Sequence, residues 1–143
     1  MKQLCLLIAV IGITQFSCRR NDAAAPVATS LQGNWRMILV KDNSTRLSFA
    51  KPASIQGDVD ITFNTANNSF SGKTPTNDIW QSDFLAHPNL SLTIPFLSMT
   101  KVMETSWGNE FVGNICSSQS YTFESGGRLN IKTINRTLTF KKL

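Results

Sequence analysis

Few side chains in this sequence have reactive chemistry: three cysteines, one histidine and two closely spaced aspartates. A thiol can be acylated, cross-linked or bound to a metal, and Cys5, Cys18 and Cys116 are too far apart in sequence to form a local metal-binding cluster. His87 stands alone before Pro88. One loop imidazole excludes a His-rich metal site and leaves a Ser-His-Asp arrangement without support. Asp58 and Asp60 lie two residues apart, so on a strand they share a face. A paired-carboxylate acid/base site uses such proximity, and so does an ordinary solvated polar face, which is the expected role here. Gly126-Gly127 lacks the following helix and Lys-Ser/Thr pair of a phosphate loop. These residues predict no catalytic site, no metal site and no cofactor.

Cys18 is the most informative of them. Leu4 to Ile13 is an apolar run behind Lys2, and "TQFSC" follows it. Ten apolar residues fall short of the roughly 20 that cross a bilayer, but they match the apolar region of a secretory signal. A small residue followed by cysteine at the end of such a segment resembles a bacterial lipoprotein signal, with Ser17 before the acylated Cys18. Gln15 and Phe16 depart from the commonest pattern of an aliphatic and then a small residue. The resemblance implies cleavage after residue 17 and two or three acyl chains on Cys18, enough for firm membrane attachment. Cys5 would be removed with the signal, leaving Cys116 as the one thiol of the folded part. The expected location is the cell envelope, with the outer membrane facing the periplasm as the default.

The next stretch, "RRNDAAAPVATS", is small, polar and aperiodic, and reads as a tether over residues 18–30. From residue 30 onward 11 basic and 8 acidic residues leave a net charge of +3. Along the sequence the basic residues are scattered and not interleaved with aromatics, which argues against nucleic acid as a partner. Apolar residues make up 41% of the chain and charged residues 16%, a balance that supports one globular domain over 31–143.

The elements of that domain follow from a two-residue period. Trp35, Met37 and Leu39 share one face, as do Val59, Ile61 and Phe63 with Asp58, Asp60 and Thr62 opposite. Leu90, Leu92 and Ile94 repeat the pattern. Turn residues separate the strands in "DNST", "NTANN", "ESGGR" and "INRT", and the Gly-Gly pair marks a hairpin between Tyr121/Phe123 and Leu129/Ile131. One segment breaks the period. Trp107, Phe111 and Ile115 recur every four residues behind Thr105 or Ser106, which predicts a short helix near 105–117 packed on the sheet by that edge. The expected fold is mainly β: a compact antiparallel, barrel-like arrangement of seven or eight strands with one helix.

This order of elements resembles the META domain, the HslJ-like group of small bacterial envelope proteins. The likeness runs from Leu31, Gly33 and Trp35 through "ITFNTANNSFSGKTPTN" and "LSLTIPFLSMTKVME" to "NEFVGNI", "SYTFESGGRLNIK" and "LTF". It implies a barrel-like META fold, a loose tie to stress and envelope function, and no reaction. The family often carries cysteine near the Asn77 position and after the Met-Thr step, where this chain has Thr76 and Glu104, so no family disulfide or thiol chemistry carries over.

Two binding readings remain ahead of any enzymatic one. The first is an envelope-tethered interaction module binding a protein or envelope component, with Lys73, Asn77 and Trp80 as the candidate interaction loop. The second is a lipocalin-like carrier of a small apolar ligand, because Gly33-Asn34-Trp35 resembles the Gly-x-Trp that opens lipocalin barrels. The helix position favours the first, since a lipocalin's main helix follows its barrel strands.

Overall fold

The computed structural model describes residues 30–143, so the expected signal, Cys18 and most of the tether lie outside the described residues. Seven strands form the main sheet, and their alternation sets its two faces: β1 (Gly33–Asp42), β3 (Asp60–Asn64), β4 (Ser69–Lys73), β5 (Asp78–Asp83), β8 (Ser118–Glu124), β9 (Arg128–Thr133) and β10 (Arg136–Lys142). They run antiparallel in the order β5-β4-β3-β1-β10-β9-β8, and the two-residue strand β2 (Ser48–Phe49) joins β1 as the eighth member. A small second sheet pairs β6 (Leu85–Ala86) with β7 (Leu92–Thr93). The fold is mainly β with one short helix, α1 (Ser106–Ile115), as the periodicity predicts.

The main ladder does not close on itself. Instead, the irregular segment between β6 and α1 reaches both of its edges. Met99 bridges to Ile79 of β5, with Trp80 N donating to Ser98 O at 2.8 Å, while Ser91 bridges to Ser120 and Tyr121 N donates to Leu90 O at 2.9 Å. These contacts occupy backbone groups that an open sheet would leave unpaired.

Two alternation assignments shift for local reasons. A bulge between Met37 and Leu39 inserts an extra residue into β1. The core face therefore runs Trp35, Met37 and Val40, and Leu39 turns to the outer face. Leu90 adopts φ 65° in the turn before β7 and is exposed, so only Leu92 and Ile94 of that trio enter the core. Between β8 and β9, Gly126 and Gly127 both have positive φ, as the tight hairpin requires.

The interior is filled with interlocking rings. Phe63 meets Phe84 edge-on at 5.0 Å and Phe70 at 5.8 Å, and Phe111 of α1 meets Phe140 edge-on at 6.4 Å. Trp35 is fully buried and its indole nitrogen donates to Leu31 O at 2.7 Å. Trp107, Phe111 and Ile115 are all buried, which confirms the helix edge read from their spacing. Thr105 is the N-cap, its hydroxyl accepting from Gly108 N at 3.1 Å.

The two helical glycines are not equivalent. A Cβ on Gly108 would lie 2.1 Å from Glu104 Oε1, whereas one on Gly113 would meet nothing within 4 Å. Gly113→Ala should therefore stabilise the domain by about 1 kcal/mol through helix propensity alone. Gly108→Ala should destabilise it, because the gain in propensity is outweighed by displacement of the Glu104 carboxylate. Urea unfolding of the two variants checks this, and a stabilised Gly108→Ala would show that the Glu104 carboxylate is not held against the helix.

Candidate functional site

The candidate loop begins where β4 ends and turns back through Thr74–Asn77 into β5. Its three chosen residues separate. Lys73 projects outward with its side chain 58% exposed, 4.0 Å from Asp60 Oδ2. Trp80 is 57% exposed, and it sits on β5 itself rather than in the loop.

Asn77 is turned inward and is only 3% exposed. The two protons of its amide nitrogen are shared among three acceptors, Thr76 Oγ1 at 3.0 Å, Val102 O at 3.0 Å and Glu104 Oε2 at 2.8 Å. Its amide oxygen accepts from Val102 N at 2.8 Å and Thr100 Oγ1 at 3.0 Å. An amide carries both donors and acceptors, so this one side chain satisfies two chain segments at once. Asn77 is therefore a structural hub and leaves the candidate contact surface.

Glu104 completes this knot, and sequence reasoning did not find it as a partner of Asn77. It precedes the N-cap of α1 and accepts from the Thr74 hydroxyl, the Asn77 amide and Thr105 N. Burial pushes its carboxyl pKa up, but the hydrogen bonds from Thr74, Asn77 and Thr105 outweigh that and hold it below the usual glutamate range. The signal available in sequence was a carboxylate just before a helix N-terminus, where negative charge is favoured.

The other sequence candidates take structural places. Asp58 and Asp60 flank the Arg36 guanidinium instead of each other. Asp60 accepts from Nε at 2.7 Å and from Nη2 at 2.9 Å, and Asp58 lies 3.0 Å from Nη1. A hydrogen bond from Lys51 holds the Asp58 carboxyl below its ordinary value despite partial burial, with Arg36 adding to the effect. A general acid needs the opposite shift. His87 is exposed in the turn between β6 and β7. Cys116 is the exposed C-cap of α1, and partial desolvation of its thiol raises its pKa, the reverse of an activated nucleophile.

What the region around β5 does present is apolar surface. Among the described residues, Trp80, Phe96, Val102 and Met103 are all more than half exposed. They lie on β5 and on the segment that hydrogen-bonds along it, from Trp80 N to Ser98 O and from Thr100 N to Asp78 O. The Asn77 knot lies behind this flank and fixes its backbone.

No family model matches the chain, and no curated protein matches it. Two solved structures share its fold. A crystal structure of a DUF4847 family protein from Bacteroides vulgatus superposes with a TM-score of 0.56 at 17% identity, covering 78% of this chain and 92% of that one. An NMR structure of a protein from Burkholderia xenovorans gives the same TM-score and identity, covering 78% of this chain and 82% of that one. At this identity the likeness extends to the fold alone.

Proposed function

We propose that the chain is a non-enzymatic envelope lipoprotein, anchored through acylated Cys18, whose META-like domain docks an envelope protein or component. The observation that carries the docking reading is the group of exposed apolar side chains along β5, with Trp80 foremost. Large aromatics on a rigid support lose little entropy on binding and serve as anchors. Rings packed edge-on and tilted in the interior weigh against the lipocalin-like alternative, since Phe63, Phe70 and Phe84 occupy space that a ligand would need.

A photoreactive residue at Gln81, beside Trp80, should give a discrete crosslinked adduct in intact cells. Trp80→Ala should reduce that adduct roughly tenfold or more, as loss of an interface anchor does, while leaving the urea midpoint unchanged. Cys18→Ser should abolish fatty-acid labelling and release the protein from membranes. An adduct indifferent to Trp80→Ala sinks the docking surface, and a Cys18→Ser protein that still labels and sediments like the parent sinks the anchor.

A further inference from the structure

The opposite flank of the sheet gathers basic residues that are scattered along the sequence. Cross-strand register sets them in rows on the outer face. Lys141 of β10 lies opposite Arg128 of β9, and Lys41 of β1 lies opposite Thr137, which lies opposite Lys132. Between these basic rows runs a neutral one, Leu39–Thr139–Asn130–Thr122.

Leu39, Thr139 and Asn130 of this row floor a shallow depression of about 220 Å³, rimmed by Lys41, Arg128 and Glu124. A second depression of about 170 Å³ adjoins it through Asn130 and Thr137 and includes Lys132. The geometry of a pleated sheet puts Arg128 and Lys132 about 13 Å apart along their strand, and Lys41 and Lys132 about 10 Å apart across two strand spacings.

These four cations are free of ion pairs, as are Arg46, Lys101 and Lys142 elsewhere among the described residues, and what distinguishes them is that the register gathers them on one face. Arg36, Lys51, Lys73 and Arg136 are held in ion pairs, whereas among the described residues Lys41, Arg128, Lys132 and Lys141 form none. Beside Leu39 the floor is polar, and its polar groups are partly committed. Thr139 Oγ1 donates to Asn130 Oδ1 at 2.7 Å, which leaves the Asn130 amide nitrogen as the group able to donate to a ligand.

We propose that this face binds an acidic polysaccharide, whose anionic groups meet Lys41, Lys132, Arg128 and Lys141 while its hydroxyls meet Asn130 and the adjacent threonines. The spacing of the cations suits charges repeated along a chain better than one compact phosphate. Nucleic acid fits less well, because base stacking needs exposed rings and Tyr121, at the margin, packs edge-on against Phe123 at 5.6 Å. A bilayer fits less well because the hydrogen-bonding groups lie recessed in the floor, where a flexible chain can enter. Glu124, opposite Arg128 and also lining the depression, opposes an anionic ligand and sets a limit on affinity. This inference is independent of the Trp80 surface.

The test titrates the full chain with polygalacturonate, with polyglutamate as an acidic polymer lacking hydroxyls, with neutral dextran, and with vesicles of phosphatidylglycerol and phosphatidylethanolamine. Arg128→Glu with Lys132→Glu should weaken polygalacturonate binding about tenfold or more, the scale of lost charge-assisted contacts. Arg46→Glu with Lys101→Glu, equal in charge but off this face, should change it less than about twofold, as distant screened charges do. Glu124→Gln should tighten binding. Asn130→Val should weaken polygalacturonate and leave polyglutamate unaffected. Urea midpoints guard against misfolding, with Arg128→Gln and Lys132→Gln replacing any reversal that unfolds the chain. Failure to bind polygalacturonate, equal losses in the two double variants, an affinity for polyglutamate as high as for polygalacturonate, or binding to vesicles alone would each overturn the proposal.

Discussion

Phe111→Ala should lower the unfolding free energy by about 3–5 kcal/mol, the cost of truncating a fully buried aromatic. Phe111 has no exposed surface and is the middle of the three side chains that seat α1 on the sheet. Its ring meets Phe140, which lies on β10 opposite Met37 of β1, so the cavity would open at the centre of the sheet. Small domains have only about 5–15 kcal/mol of stability, so a large part would go with one ring. Val112→Ala, half-buried on the same helix, is the control and should cost far less. Urea unfolding with unchanged m-values would measure both. A loss below about 1 kcal/mol for Phe111→Ala would mean that the helix is not integral to the core.

The second large effect is expected at Asn77. Asn77→Ala removes the two amide protons shared among Thr76 Oγ1, Val102 O and the Glu104 carboxylate, and the two hydrogen bonds accepted by the amide oxygen. Buried partners left unmatched make this a loss of about 3 kcal/mol. It should also change the response to acid. The folded pKa of Glu104 lies below its ordinary value of 4.5, so its contribution is fully present above that value and disappears as pH falls through the folded pKa. Asp42 and Asp58 are shifted in the same direction and remain in the variant. The stability of Asn77→Ala should therefore decline less steeply below pH 4.5 than that of the parent. Parallel acid limbs in the two proteins would show that Asn77 does not support the Glu104 charge.

The parts of the fold that sequence makes legible are those where one local rule acts alone. Val59, Ile61 and Phe63 alternate without interruption, and their strand is as the period predicts. Trp107, Phe111 and Ile115 define the helix face because nothing else competes for that spacing. Alternation puts Leu39 on the core face because a bulge has no signature in it, and one inserted residue exchanges the faces. The site was harder to read for a different reason. Asn77 and Glu104 are separated by β5, β6 and most of the irregular segment before α1, and neither position announces the other. The basic rows were hidden because Lys41, Arg128, Lys132 and Lys141 come together only when β1 lies beside β10 and β10 beside β9.

The pairing of β1 with β10 also bears on how the chain reaches its native state. Trp35 lies opposite Lys142, and the partnership extends to Asp42 opposite Arg136, so a strand near the start of the described residues waits for one about 100 residues later. No strand between them can stand in, because β3 occupies the other side of β1. Folding dominated by such distant pairing is slow, since loop closure must precede the contacts that compensate it. Until Arg136–Lys142 has emerged, β1 and β9 both keep an unpaired edge, and a chain cut short before Leu138 would keep them permanently. Residues 136–143 thus decide between a fully paired central sheet and an aggregation-prone intermediate with two sticky edges.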